Sequence, residues 1–242
     1  MKCIILAAGY ATRLYPLTEN YPKPLLTVGD KTIVDRLSDD LRENVKEIDE
    51  YIIITNHKFY DYFLEWSKNK PYITIVDDNT DTNENRLGAV RDILYATKTL
   101  KIDDNVLVLA GDNLLDFSLS EFIRFAENKN TSCVMCHEED DLKKQQKTAI
   151  ITINNNNLIT SYEEKPKSPK GNLAVPPFYF YLKKDIERIE EALIEGCNPD
   201  APGSFAAWLS GKTQVHAYKM PGNRYDIGDI NSYEHVKEIF SK

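Results

Sequence analysis

The chain has 242 residues, 42% hydrophobic and 28% charged, with 38 acidic against 30 basic side chains and a formal net charge of −8. An acidic balance without any block of Lys or Arg lacks the electrostatic footprint of a nucleic-acid binder, so no nucleic-acid partner is expected. No apolar run approaches the ~20 residues that span a bilayer, and the N-terminal apolar stretch is too short for a signal peptide; a cytoplasmic protein without a membrane partner is expected.

In chain order, short apolar runs alternate with longer segments of helical period. Cys3 to Ala7, Tyr51 to Thr55, Tyr72 to Val76 and Val106 to Ala110 read as strands, and Thr32 to Val45, Phe59 to Ser67 and Gly88 to Thr99 as helices. Leu119 to Asn128 is a further helix, with Ser118 or Ser120 as its cap. After Thr131 the pattern changes: Thr131 to Cys136, Thr148 to Ile153, Leu158 to Glu163 and Phe178 to Leu182 read as strands, with Asn154 to Asn157 as a turn. Asp185 to Ile194 and Ile230 to Phe240 are predicted helices, and Gln214 to Lys219 a late strand. The expected fold class is therefore α/β: a Rossmann-like mixed, mostly parallel sheet flanked by helices, with antiparallel pairs entering in the second half. No stretch reads as a linker, so residues 1–242 are expected to form a single domain.

Cysteine is sparse, and Cys133 and Cys136 have the C-x-x-C spacing. They lie on a predicted strand, where an offset of three points the two thiols to opposite faces. Buried structural thiols are expected there, not a redox pair or a zinc site.

The stretch from Ile4 to Thr18, continued by Tyr21-Pro22-Lys23-Pro24-Leu25, carries the first chemistry. A buried strand emptying into a loop of small residues offers backbone amides to a phosphate. The dinucleotide fingerprint needs three glycines, and this loop supplies only Gly9; the G-K-S or G-K-T of a P-loop is absent. Arg13 offers a fork of donors for a triphosphate, and Lys23 is held between two prolines that stiffen its backbone. Asp112 follows the apolar run Val106 to Ala110, so it emerges at the carboxyl end of a strand, where open α/β sheets bind ligands. Asp226 comes about a hundred residues later, and two carboxylates meeting on one site suit Mg²⁺, which takes few protein ligands and completes its shell with phosphate oxygens.

The run Leu6-Ala7-Ala8-Gly9-Tyr10-Ala11-Thr12-Arg13-Leu14-Tyr15-Pro16-Leu17-Thr18, then Pro22-Lys23-Pro24-Leu25, closely resembles the signature of the sugar-1-phosphate nucleotidyltransferases, of the glucose-1-phosphate thymidylyl and uridylyl type. Gly111-Asp112, Glu164-Lys165-Pro166 and Asp226-Ile227-Gly228 resemble that family's further motifs, in family order over nearly the whole chain. The resemblance implies a nucleotide-diphospho-sugar transferase fold. It also implies a Mg²⁺-dependent enzyme that joins a nucleoside triphosphate to a sugar 1-phosphate and releases pyrophosphate.

By that resemblance Arg13, Lys23 and Asp112 are catalytic, and Asp112 with Asp226 holds the metal. Leu6, Ala8, Gly9, Asn83 and Gly88 bind the nucleotide, and Glu164, Lys165, Val175 and Tyr179 bind the acceptor. Three departures are visible: Ala11 replaces the family's second loop glycine, Thr148-Ala149 replaces Tyr-Gly, and Ala174-Val175-Pro176-Pro177-Phe178-Tyr179 replaces Ala-Val-x-Gly-x-Tyr. Asn83 stands where pyrimidine-specific members present Gln, and could form the same paired bonds from a shorter arm. Because the departures fall on the acceptor side, a cytidylyltransferase acting on a phosphoalcohol such as phosphocholine is the alternative enzyme. A nucleotide sensor without chemistry has no need of both carboxylates. Oligomeric state is left open, a homo-oligomer included.

Overall fold

In the computed structural model, which describes residues 1–240, the N-terminal apolar run becomes strand β1 (Lys2–Leu6). Two short 3-10 turns, Thr12–Leu14 and Lys23–Leu25, lead to a hairpin of β2 (Thr27–Val28) and β3 (Lys31–Thr32). Helix α1 (Ile33–Asn44) opens with a capping box: the Thr32 hydroxyl accepts the Asp35 N–H at 3.1 Å, and the Asp35 carboxylate accepts the Thr32 N–H. Two amides that lack partners in a helical first turn are thereby satisfied. Strand β4 (Glu50–Thr55), helix α2 (Tyr60–Ser67), strand β5 (Ile73–Asp77) and helix α3 (Ala89–Thr99) follow within a residue or two of their predicted ends.

The chain continues through β6 (Val106–Ala110), β7 (Asn113–Leu115), α4 (Ser120–Lys129), β8 (Ser132–Glu138), α5 (Leu142–Gln145), β9 (Ala149–Ile153) and β10 (Ile159–Glu164). It ends with β11 (Leu173–Val175), β12 (Phe178–Tyr181), α6 (Lys183–Ile186), α7 (Ile189–Ile194), α8 (Gly203–Ser210), β13 (Val215–Lys219), β14 (Arg224–Asp226) and α9 (Ile230–Phe240). Ser118 takes the expected role at the start of α4, its hydroxyl accepting the Ser120 N–H. No described helix is long and apolar enough to cross a membrane.

Contacts group the chain into two compact units. The first holds Met1–Leu87, Ala110–Ser120 and the segment from Gly222 onward; the second holds Gly88–Leu109 and Glu121–Pro221. In the first unit β4 lies between β1 and β5 in a parallel sheet, with Ile4 beside Ile52 and Ile53 beside Ile75. Tyr51 to Thr55 are all buried, the unbroken apolar run that a parallel strand covered on both faces requires. A separate cluster of Leu14, Val28, Ile33, Leu114, Ile227, Tyr233 and Val236 gathers side chains from the N-terminal loop, α1, β7 and α9.

In the second unit β8 is central. It pairs antiparallel with β11 and β12 and parallel with β13; β12 continues to β6, and β11 to β9 and β10. The α/β class with a mixed sheet and flanking helices is the expected one, and the antiparallel ladders gather where the meander was predicted.

Three local differences have identifiable causes. The single helix expected over Asp185 to Ile194 is two short ones, α6 and α7. The buried Asp185 carboxylate accepts from the Ser132 hydroxyl at 2.6 Å, which anchors α6, and the chain turns at Arg188 before α7. Helix α8 has no counterpart in the sequence reading, because Pro202-Gly203 carries a breaker signal and a helix buried from Gly203 through Ala206 shows no amphipathic period. Asn113 to Leu115 and Arg224 to Asp226, which belong to no predicted element, form an antiparallel ladder of their own, β7 with β14.

Candidate active site

In the first unit the loop after β1 is fastened by its backbone. The Leu6 carbonyl accepts the Gly111 N–H at 2.9 Å, the Ala8 carbonyl accepts from the Asn56 side-chain amide at 2.9 Å, and the Ala11 carbonyl accepts from the Thr18 hydroxyl at 2.8 Å. A Cβ on Gly111 would lie 3.1 Å from both the Leu6 oxygen and Ile5 Cγ2, so the Gly-Asp motif needs glycine to approach this loop. Ala11 has φ of 47°, in the left-handed region, which is why glycine suits this position and why alanine is held there at a cost. Gly9 is exposed and faces open space.

Lys23 is only 7% exposed, and its ammonium donates to Asp112 Oδ2 at 2.7 Å. A lysine so buried needs a charged partner. Asp112 follows β6 directly, as the sequence placed it, and leads into β7. There the ladder sets Asp226 opposite Asn113, and the Ile227 N–H points to the Asp112 carbonyl at 3.4 Å. Asp226, on β14, thus lies across the ladder from the residue that follows Asp112, about a hundred positions earlier in the sequence. Arg13 belongs to the same group: a Cβ built on Gly228 would lie 3.8 Å from Asp226 Oδ2 and 4.0 Å from an Arg13 guanidinium nitrogen.

Among the described residues no group of three or more His, Cys, Asp or Glu side chains forms a metal cluster. The donor chemistry of Asp112 and Asp226 nonetheless fits Mg²⁺, a hard ion that takes one or two carboxylates together with phosphate oxygens and water. Asp112 Oδ1 accepts from the Asn113 amide at 2.7 Å and Oδ2 from Lys23, which leaves each oxygen one further lone pair. Asp226 is exposed. Asn83 is on an exposed turn, where its carbonyl accepts from Arg86.

In the second unit Gly88 precedes α3 with φ of +88°, and a Cβ there would lie 2.7 Å from the Pro199 carbonyl oxygen, which also accepts the Val90 N–H at 2.9 Å. Gly88→Ala is therefore expected to destabilise the fold by more than about 1 kcal/mol, read as a lowered midpoint in chemical denaturation.

Strand register brings the acceptor candidates together. Ala149 on β9 sits opposite Glu164 on β10 and opposite Val175 on β11, and the Lys165 N–H donates to the Thr148 carbonyl at 3.1 Å. The two departures Thr148-Ala149 and Ala174-Val175 are thus neighbours in one sheet. Lys165 has φ of 48°, a left-handed conformation uncommon for a long side chain and of the kind that gathers at functional sites.

Tyr179 is buried on β12 and stacks on Tyr181 at 5.9 Å. A Cβ on Gly203, the first residue of α8, would lie 2.9 Å from Tyr162 Oη and 3.2 Å from both Glu164 Oε2 and Tyr179 Oη. Burial raises the Glu164 carboxyl above the ordinary range, with the Lys165 charge opposing. The Tyr162 hydroxyl and the Ser204 hydroxyl are buried without a protein partner. Gly203 and Ser204 belong to no motif, their one sequence signal being the breaker pair Pro202-Gly203 followed by the apolar Phe205, Ala206 and Leu209, and Tyr162 carries no local signal at all.

Cys133 and Cys136 are fully buried free thiols, each pushed up to about 12 by burial, which fits the structural reading.

The chain is 29% identical over 241 residues to the bifunctional protein GlmU of Methanocaldococcus jannaschii, a match that covers 94% of this chain and 51% of that protein. It is 26% identical to a glucose-1-phosphate adenylyltransferase of Fervidobacterium nodosum (95% and 59% covered) and 24% identical to a putative mannose-1-phosphate guanyltransferase of Sulfolobus acidocaldarius (98% and 62% covered). It spans about half the length of the GlmU relative. Among solved structures, a putative glucose-1-phosphate thymidylyltransferase from Bacillus anthracis superposes with a TM-score of 0.81 at 24% identity, covering 100% of this chain and 96% of that one. A UDP-glucose pyrophosphorylase complexed with UDP-glucose does so with a TM-score of 0.81 at 23% identity, covering 99% and 97%. These likenesses establish the fold, and the nucleotidyl transferase family model matches residues 2–242. The chain belongs to the nucleotidyl transferase family.

Proposed function

We propose that this protein joins a nucleoside triphosphate to a sugar 1-phosphate, releasing pyrophosphate, with Mg²⁺ as its cofactor. The observation that carries the reading is the gathering of Arg13, the Lys23–Asp112 pair and Asp226 on the loop and paired strands of the first unit. In this reaction an oxygen of the acceptor phosphate forms a bond to the α-phosphorus while the bond to the β-phosphate oxygen breaks, and pyrophosphate carries away the electron pair. Catalysis of that exchange is mainly positioning and charge neutralisation.

Arg13, exposed on the loop, donates to the triphosphate, and Lys23 supplies a positive charge next to the reacting phosphates. Asp112 and Asp226 would hold Mg²⁺, which neutralises charge on phosphate oxygens when bound. In the second unit Glu164, Lys165, Val175 and Tyr179 are assigned to the acceptor, and Gly88 to the nucleotide.

A second reading keeps the nucleotide chemistry and replaces the sugar with a phosphoalcohol that bears a cationic head, such as phosphocholine. It is favoured by the half-buried Glu164 carboxylate, whose neighbours at Gly203 are tyrosine hydroxyls and whose nearest cationic influence is the exposed Lys165. Aromatic and acidic surroundings suit a quaternary ammonium.

The experiment is pyrophosphate release from a panel of ATP, GTP, CTP, UTP and dTTP against hexose 1-phosphates and phosphocholine, with and without Mg²⁺. The pyrimidine expectation predicts the highest rate with UTP or dTTP. Turnover with CTP and phosphocholine alone selects the second reading, and no turnover with any pair overturns both.

A further inference from the structure

Asn113, Arg224 and Asp112 form a chain of hydrogen bonds that the sequence motifs do not announce. Asn113 is 1% exposed, and its side-chain N–H₂ donates to Asp112 Oδ1 at 2.7 Å. Its amide oxygen accepts from the Arg224 guanidinium at 2.6 Å. Arg224 is half-buried on β14 and forms no carboxylate pair among the described residues; its one side-chain bond goes to this buried amide. The pairing also fixes the amide orientation. A guanidinium can only donate, so the Asn113 oxygen must face Arg224 and its N–H₂ must face Asp112.

We infer that Arg224 acts through Asn113 as a positioning residue for the Asp112 carboxylate. The charge on Arg224 polarises the amide and strengthens the bond its other end donates. Asp112 is then held at both oxygens by different hands: Oδ2 by the Lys23 ammonium, Oδ1 by the relay. Lys23 has three donors and one of them is engaged with Asp112, so an arriving anion can take the others and draw the ammonium toward itself. The relay has no such competing duty. It keeps the carboxylate plane fixed when the lysine turns to substrate.

The same ladder supplies the geometry, because β14 carries both Arg224, opposite Leu115, and Asp226, opposite Asn113. One strand therefore contributes the second carboxylate and the group that orients the first.

The inference rests on the nucleotidyltransferase reading, and its test separates the two. Turnover at varied Mg²⁺ is measured for the parent, Arg224→Met and Arg224→Lys, together with thermal midpoints and the ¹H–¹⁵N signals of the Asn113 side-chain amide. Arg224→Met is expected to raise the Mg²⁺ concentration for half-maximal rate about tenfold, as loss of a partner behind a metal-ligating carboxylate does, and to move the Asn113 amide signals. Arg224→Lys, which keeps a charged donor on a flexible stem, should fall between parent and Arg224→Met.

A lowered midpoint with unchanged Mg²⁺ dependence and unmoved Asn113 signals means that Arg224 only supports the ladder, and overturns the relay. If the parent turns over no pair of substrates, the nucleotidyltransferase reading falls. The Asn113 signals then decide the relay alone: they must respond to both Arg224→Met and Asp112→Ala, and failure to respond to either overturns it.

Discussion

Asp112→Ala is expected to lower kcat by about 10³-fold, equivalent to about 4 kcal/mol of transition-state stabilisation. The carboxylate is at once the partner of a buried ammonium and half of the donor pair assigned to Mg²⁺, so two losses coincide. Its removal leaves Lys23, 7% exposed, without the 2.7 Å bond that offsets its burial. The stability cost is expected to be about 2 kcal/mol, below that of a fully buried pair because the Asp112 side chain is 36% exposed. Asp112→Asn keeps the shape but loses the charge, and its N–H₂ must face either Lys23 or the Asn113 amide, both donors, so it should regain only part of the stability and little of the rate. Pyrophosphate release and a denaturation curve measure the two quantities. A rate within tenfold of the parent for Asp112→Ala removes Asp112 from the chemistry.

Gly203→Ala should raise KM for the acceptor about 100-fold, the scale on which a displacement of about 1 Å acts at a reacting site. Its Cβ would lie 2.9 Å from Tyr162 Oη and 3.2 Å from Glu164 Oε2 and Tyr179 Oη, so one of these groups or the start of α8 must move. Gly203 heads a helix, where alanine is well tolerated, so the fold should survive and the effect should appear in acceptor kinetics. KM for the triphosphate is expected to change far less, since the residues assigned to the nucleotide, Gly88 excepted, belong to the first unit. Equal KM values for both substrates in parent and variant would take the Gly203 neighbourhood out of acceptor binding.

The parts of the fold that the sequence makes legible are those whose signal is local. Helix α1 has a capping box and a buried stripe from Ile33 to Leu41, and both are visible in the order of its residues. Strands β1, β4 and β6 are runs of buried Ile, Val and Leu. Helix α8 escaped because burial on several sides erases periodicity, and the break between α6 and α7 escaped because it depends on Ser132, more than fifty residues earlier. The candidate site divides along the same line. Motif residues such as Lys23, Asp112 and Asp226 carry their chemistry in their type, whereas Asn113 and Arg224 matter through a ladder whose register no local pattern encodes. Tyr162 likewise enters only through the approach of Gly203, forty-one positions away.

The apolar cluster beneath the first-unit site has a consequence for how the protein is made. It joins Leu14 to Ile227, Tyr233 and Val236, and the Tyr233 hydroxyl donates to the Thr27 carbonyl across 206 positions. During synthesis, the N-terminal loop has been exposed for most of the translation time before α9 arrives to cover Val28 and Ile33. Contacts of such long sequence separation form slowly, because a large loop must close before they contribute. The segment that opens the chain is therefore among the last to reach its final surroundings, and a nascent chain halted before Ile227 presents this loop without its floor.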